Sequence, residues 1–146
     1  MTDSSDTFNP QDSMDLDIKS ILLLDDDLEL ADTLKMLLES RNFLVTTVKN
    51  GVEGLREVMA LDFDVIMCDM LMPAMPGDMF YLAVQRTKPQ LSKRFIFITG
   101  HPGNPKIDEF LKTVDAMVLY KPVVTDDLVR AISFVLKNSE NEEARR

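Results

Sequence analysis

Three short runs of the chain are wholly apolar and stop at a polar residue: 21–24 before Asp25, 65–68 before Asp69, and 95–98 before Thr99. Each is too short for a buried helix and fits a strand covered on both faces. A shorter apolar run, 116–119, precedes Lys121, and residues 43–48 are rich in β-branched side chains; both read as strands. Between the runs the apolar spacing changes to that of a helix. Leu30, Ala31, Leu34, Leu37 and Leu38 mark one face of a helix over 28–40. After a turn at Asn50-Gly51, a short helix shows Val52, Leu55 and Met59. Met79, Phe80, Leu82 and Ala83 predict a third helix that ends before Pro89. Ile107, Phe110, Leu111 and Val114 predict a fourth. Leu128, Ile132, Val135 and Leu136 predict a last one, capped by Thr125 and fraying into a charged tail over 138–146. Asp126 and Asp127 suit the positive end of its dipole.

The order is (βα)5. Strands that alternate with helices predict an α/β fold whose parallel sheet is covered on both faces. Residues 1–18 are polar, with Asp3, Asp6, Asp12, Asp15 and Asp17 and no Lys or Arg, and read as a disordered acidic tail. The folded part is then a single domain over 19–137. The net charge of −9 argues against a nucleic-acid surface. Most of the acidity lies in the tails, so a carboxylate cluster within the body stands out. No run approaches the length of a membrane helix, and the single cysteine, Cys68, gives no internal disulfide. The expectation is a cytoplasmic protein.

Ligands of open parallel sheets bind beyond the carboxyl ends of the strands. Asp25, Asp26 and Asp27, then Asp69, Thr99 and Lys121 stand there. Carboxylates brought together repel unless a cation neutralises them. Carboxylate oxygens without Cys or His beside them suit a hard ion, Mg2+ above all. A lysine and a hydroxyl complete a cradle for a phosphoryl group in transfer, with an aspartate as the nucleophile.

Residues 21–26 (ILLLDD), 69–77 (DMLMPAMPG), Thr99-Gly100 and Lys121-Pro122 resemble, in order, the four signature blocks of the CheY-like receiver domain of bacterial response regulators. The resemblance implies a flavodoxin-like, doubly wound five-stranded sheet in the order 2-1-3-4-5. It implies that Asp69 takes a phosphoryl group from a histidine kinase or a histidine phosphotransfer protein. Asp25 and Asp26 would hold Mg2+ with Asp69 and the backbone carbonyl of Leu71. Thr99 would be the switch hydroxyl and Lys121 the lysine that pairs with the phosphoryl group, with a cis bond to Pro122. Asp27 would cap the first helix. Leu71 and His101 would occupy the two variable positions that flank the path of attacking water. With no output domain after Lys137, the expected protein is a stand-alone receiver whose output is a protein contact, a homodimer among them.

One position departs from the family pattern. Val118 stands where receivers carry an aromatic three residues before the lysine, and the nearby aromatic is Tyr120. A receiver that only binds partners, without phosphorylation, is therefore the main alternative. A haloacid-dehalogenase-like phosphatase would use Asp25 and Asp27, but Glu29 stands where that family has threonine. A flavodoxin would place phosphate against three aspartates that repel it. Single residues have plainer readings too. Asp25, Asp26 and Asp27 alone would be a helix cap, Cys68 a small core residue, His101 an exposed loop residue, and the methionines around Asp69 core filling.

Overall fold

The computed structural model describes residues 17–145. The expected disorder of the acidic tail falls on residues that, up to 16, lie outside that range. Five strands alternate with five helices: β1 (Ser20–Leu24), α1 (Leu28–Glu39), β2 (Leu44–Val48), α2 (Gly51–Ala60), β3 (Val65–Asp69), α3 (Gly77–Thr87), β4 (Phe95–Thr99), α4 (Pro105–Thr113), β5 (Met117–Tyr120) and α5 (Thr125–Ala144). A 3-10 helix, Pro89–Arg94, which the apolar pattern does not predict, joins α3 to β4. All strand pairs are parallel and the order is β2-β1-β3-β4-β5.

The alternation of side chains along β1 divides the core. Leu22 and Leu24 pack with α2, α3 and α4 on one face, where Phe80, Tyr81, Phe95, Phe97 and Phe110 meet in tilted and edge-to-face pairs. Ile21 and Leu23 pack with Ala31, Leu34 and Leu38 of α1 and with Leu128, Ile132 and Val135 of α5 on the other. Both faces are therefore dry, which is why the runs 21–24, 65–68 and 95–98 carry no polar residue.

Five helix details differ from the pattern read in the sequence. Helix α2 buries Gly51, Gly54 and Val58, whereas Val52 and Met59 face solvent. Gly54 lets the helix lie close against Leu24 and Phe80, and Gly51 lets it lie close against Met75; apolar spacing cannot register a face made of absent side chains. Asn50 is not in a turn but is the cap of that helix, its side chain accepting from Glu53 N at 2.9 Å. Helix α3 buries Phe80, Tyr81 and Val84 and exposes Met79 and Leu82. Helix α5 does not fray after Lys137 but continues to Ala144, with Glu142 paired to Lys93 of the 3-10 helix at 3.1 Å. Thr125 is its first helical residue rather than its cap. Extended backbone after Pro122 runs through Val124, so the cap position falls one residue early and carries no side-chain bond.

Candidate functional site

Strand register builds the site. Leu24 pairs with Cys68 across β1 and β3, so the next residue on each chain, Asp25 and Asp69, emerges side by side. Adjacent strands are about 4.8 Å apart, a separation at which two carboxylates need a cation between them. On the far side of β3, Thr99 ends β4 opposite Tyr120 of β5, and Lys121 follows. The Lys121 amide donates to the Thr99 carbonyl at 2.8 Å, and the Lys121-Pro122 bond is cis.

Lys121 reaches into the carboxylates. Its Nζ donates to Asp69 Oδ2 at 3.1 Å and lies 3.3 Å from Asp25 Oδ2. Asp25 and Asp69 are buried, whereas Asp26 is exposed. Oxygens of Asp25, Asp26 and Asp69 all lie within 4.8 Å of one another. Asp25 Oδ1 accepts from Asp27 N at 2.9 Å, but buried Oδ2 accepts no hydrogen bond despite the nearby ammonium. Such an oxygen is costly to bury. One lysine does not satisfy the cluster, and a donor set made only of carboxylate oxygens, with one oxygen free, fits a hard divalent cation.

The remaining predicted residues surround this cluster. Thr99 is buried, and its hydroxyl oxygen accepts from His101 N at 3.1 Å. Leu71 is half-exposed and touches Asp69 through its amide, which donates to Asp69 Oδ1 at 3.3 Å. Asp27 caps α1 by accepting from Leu30 N at 3.2 Å. Val118 packs against the aromatic face of the core, and Tyr120 is exposed. Cys68 is fully buried next to Asp69, and burial pushes its thiol well above the ordinary value, which leaves it unreactive. Backbone groups of Asp27 and His101 also hold the site; any residue type could supply them, so the sequence carries no signal for either.

Burial pushes the Asp69 carboxyl up to about 6, the Asp25 charge adds to the rise, and Lys121 and the Leu71 amide oppose it. For Lys121, burial works against the charge. Its bond to Asp69 and the two carboxylate charges outweigh burial and raise its pKa above the ordinary lysine value. The pocket thus holds a carboxylate kept from full neutralisation beside a firmly charged ammonium, an arrangement suited to receiving an anionic, cation-bound group.

Comparison with known proteins agrees with the fold. The pattern of the response regulator receiver domain matches residues 21–133. The chain is 33% identical over 122 residues to the response regulator receiver protein CpdR of Brucella abortus, covering 82% of this chain and 98% of that protein. It is 31% identical over 119 residues to the transcriptional regulatory protein GlrR of Escherichia coli, covering 82% of this chain. The chain spans 26% of GlrR and 61% of the tetrathionate response regulatory protein TtrR of Salmonella typhimurium. A CheY-like receiver domain protein from Methanospirillum hungatei superposes with a TM-score of 0.78 at 26% identity, covering 86% of this chain and 98% of that one. Among the described residues no helix is long and apolar enough to cross a membrane. The chain belongs to the response regulator receiver domain family of two-component signalling.

Proposed function

We propose that the protein is a phosphorylation-dependent receiver in which Asp69 accepts a phosphoryl group from a phosphohistidine of a histidine kinase or phosphotransfer protein. The observation that carries this reading is the buried Asp25–Asp69 pair with Lys121 inserted between the two carboxylates. An Asp69 carboxylate oxygen attacks phosphorus and forms the acyl phosphate. The P–N bond of the donor breaks, and its electron pair returns to the imidazole. Lys121 moves from pairing with Asp69 to pairing with the phosphoryl oxygens. Thr99 Oγ1 turns from the His101 amide toward the same group.

Asp25, Asp26, Asp69 and the Leu71 carbonyl would hold Mg2+. When bound, that ion supplies positive charge against the phosphoryl oxygens and the carboxylates. A second reading, a binding module that works without phosphorylation, is favoured by Val118 in the aromatic position and by the exposure of Tyr120.

Intact mass after incubation with a small phosphodonor and Mg2+ separates the two readings. An adduct of one phosphoryl group that requires Mg2+ and is lost in Asp69→Asn supports the acceptor. No adduct, with Mg2+ binding demonstrated separately, supports the binding module.

A further inference from the structure

Helix α2 begins where no side chain fits. A Cβ on Gly51 would lie 2.7 Å from Met75 Cβ, 2.7 Å from the Met75 carbonyl oxygen and 2.8 Å from Met75 Cγ. The first two atoms are fixed by the backbone, so a new methionine rotamer does not clear them. The first turn also keeps its shape. Asn50 Oδ1 accepts from Glu53 N at 2.9 Å, and Glu53 Oε1 accepts from Lys49 N at 3.2 Å, a reciprocal pair that fixes how the chain enters the helix. One turn later a Cβ on Gly54 would lie 2.5 Å from Leu24 Cδ2 and 3.1 Å from Phe80 Cε1.

The segment pressed by α2 is the loop over 70–76, which carries Leu71. Its other end is closed as tightly. Gly77 N donates to the Met70 carbonyl at 3.0 Å, and a Cβ on Gly77 would lie 2.6 Å from the Asp69 carbonyl oxygen. Met70 N donates to the Ile98 carbonyl at 3.1 Å, and Met70 and Met72 are buried. The loop is therefore held between the start of α2 and the main chain of Asp69. Near the start of the same loop, Leu71 reaches Asp69 through a 3.3 Å bond, which is long and easily lost.

We propose that Gly51 is a positioning residue for the carboxylate site. Its missing side chain lets the start of α2 stop the loop at Met75 and so keeps Leu71 seated beside Asp69. Gly51 itself contributes no atom to the site, and the inference rests on Asp69 acting as a Mg2+-dependent acceptor.

The test is Mg2+ affinity by calorimetry at pH 7 for the wild type, Gly51→Ala and Met75→Gly, with urea unfolding of each in the absence of Mg2+. Alanine is the better helix former and restricts the unfolded chain, so a residue with only a structural role in α2 would leave Mg2+ affinity unchanged. The stop predicts about ten-fold weaker Mg2+ binding in Gly51→Ala, the lower end of the effect of outer partners on metal sites. It also predicts weaker binding in Met75→Gly, which deletes two of the three contact atoms from a partly exposed loop. Gly51→Ala decides the matter if it folds, and Met75→Gly if it does not. Wild-type affinity in the deciding variant overturns the proposal. A wild type that binds no Mg2+ and forms no Asp69-dependent adduct overturns instead the reading on which the proposal rests.

Discussion

Replacing Asp69 by asparagine should make the Mg2+-free protein more stable at pH 7. Burial and the Asp25 charge raise the Asp69 carboxyl from 3.8 to about 6. Between those values the folded state holds a proton that the unfolded chain has released. Stability therefore falls as pH rises through that window, and it is fully restored only below 3.8. Two pH units at about 1.4 kcal/mol each give a cost of about 3 kcal/mol at pH 7. Water at the rim of the pocket reduces this, and we expect a gain of about 2 kcal/mol for the uncharged side chain. For a domain of this size that is a rise of about 1 M in the urea midpoint. The same linkage makes the advantage about half as large at pH 5 and small at pH 4. Saturating Mg2+ should stabilise the wild type and leave Asp69→Asn nearly unmoved. The assay is urea unfolding of both proteins at pH 4, 5 and 7, with and without Mg2+. A variant no more stable than the wild type at pH 7, or a gap that does not shrink with falling pH, would refute the claim that the ionised pair strains the fold.

Lys121→Gln removes the charge that opposes burial, so the Asp69 titration should move upward from about 6, read by carbon NMR of the carboxyl; an unchanged or lower value would mean that Lys121 does not stabilise the carboxylate. Leu71→Asn places a hydrogen-bonding side chain at the mouth of the site, where Leu71 is half-exposed. The acyl phosphate should then decay several-fold faster by intact mass, and an equal or longer lifetime would exclude apolar shielding by Leu71. Gly54→Ala forces a methyl group to within 2.5 Å of Leu24 Cδ2, and the overpacking should cost about 1–2 kcal/mol in urea unfolding after the gain in helix propensity.

The strands were readable because two-sided burial writes itself as an uninterrupted apolar run, as in 21–24 and 95–98. The helices were less so. In α2 and α3 the exposed Val52, Met59, Met79 and Leu82 stand among the apolar positions, while the buried seam uses Gly51 and Gly54. The charged end of α5 lacked any apolar period, and its helix gains an ion pair from Lys93, which is distant in sequence. Of the residues proposed for the site, Asp25, Asp26, Asp69, Thr99 and Lys121 were visible as polar groups at or just beyond the ends of apolar runs.

By itself, then, the sequence determined the five strands and five α-helices, though not the 3-10 helix, and which polar residues lie at the carboxyl end of the sheet, because these follow from local periodicity. Tertiary structure decided what those residues do to one another. Parallel register set Asp25 beside Asp69 and left Asp25 Oδ2 buried without a hydrogen bond. It brought Lys121 Nζ within 3.3 Å of both carboxylates, and burial, a property of the packed core alone, raised the Asp69 pKa. The close approach of Gly51 to Met75 belongs to the same class: it is a contact between segments that no local pattern encodes.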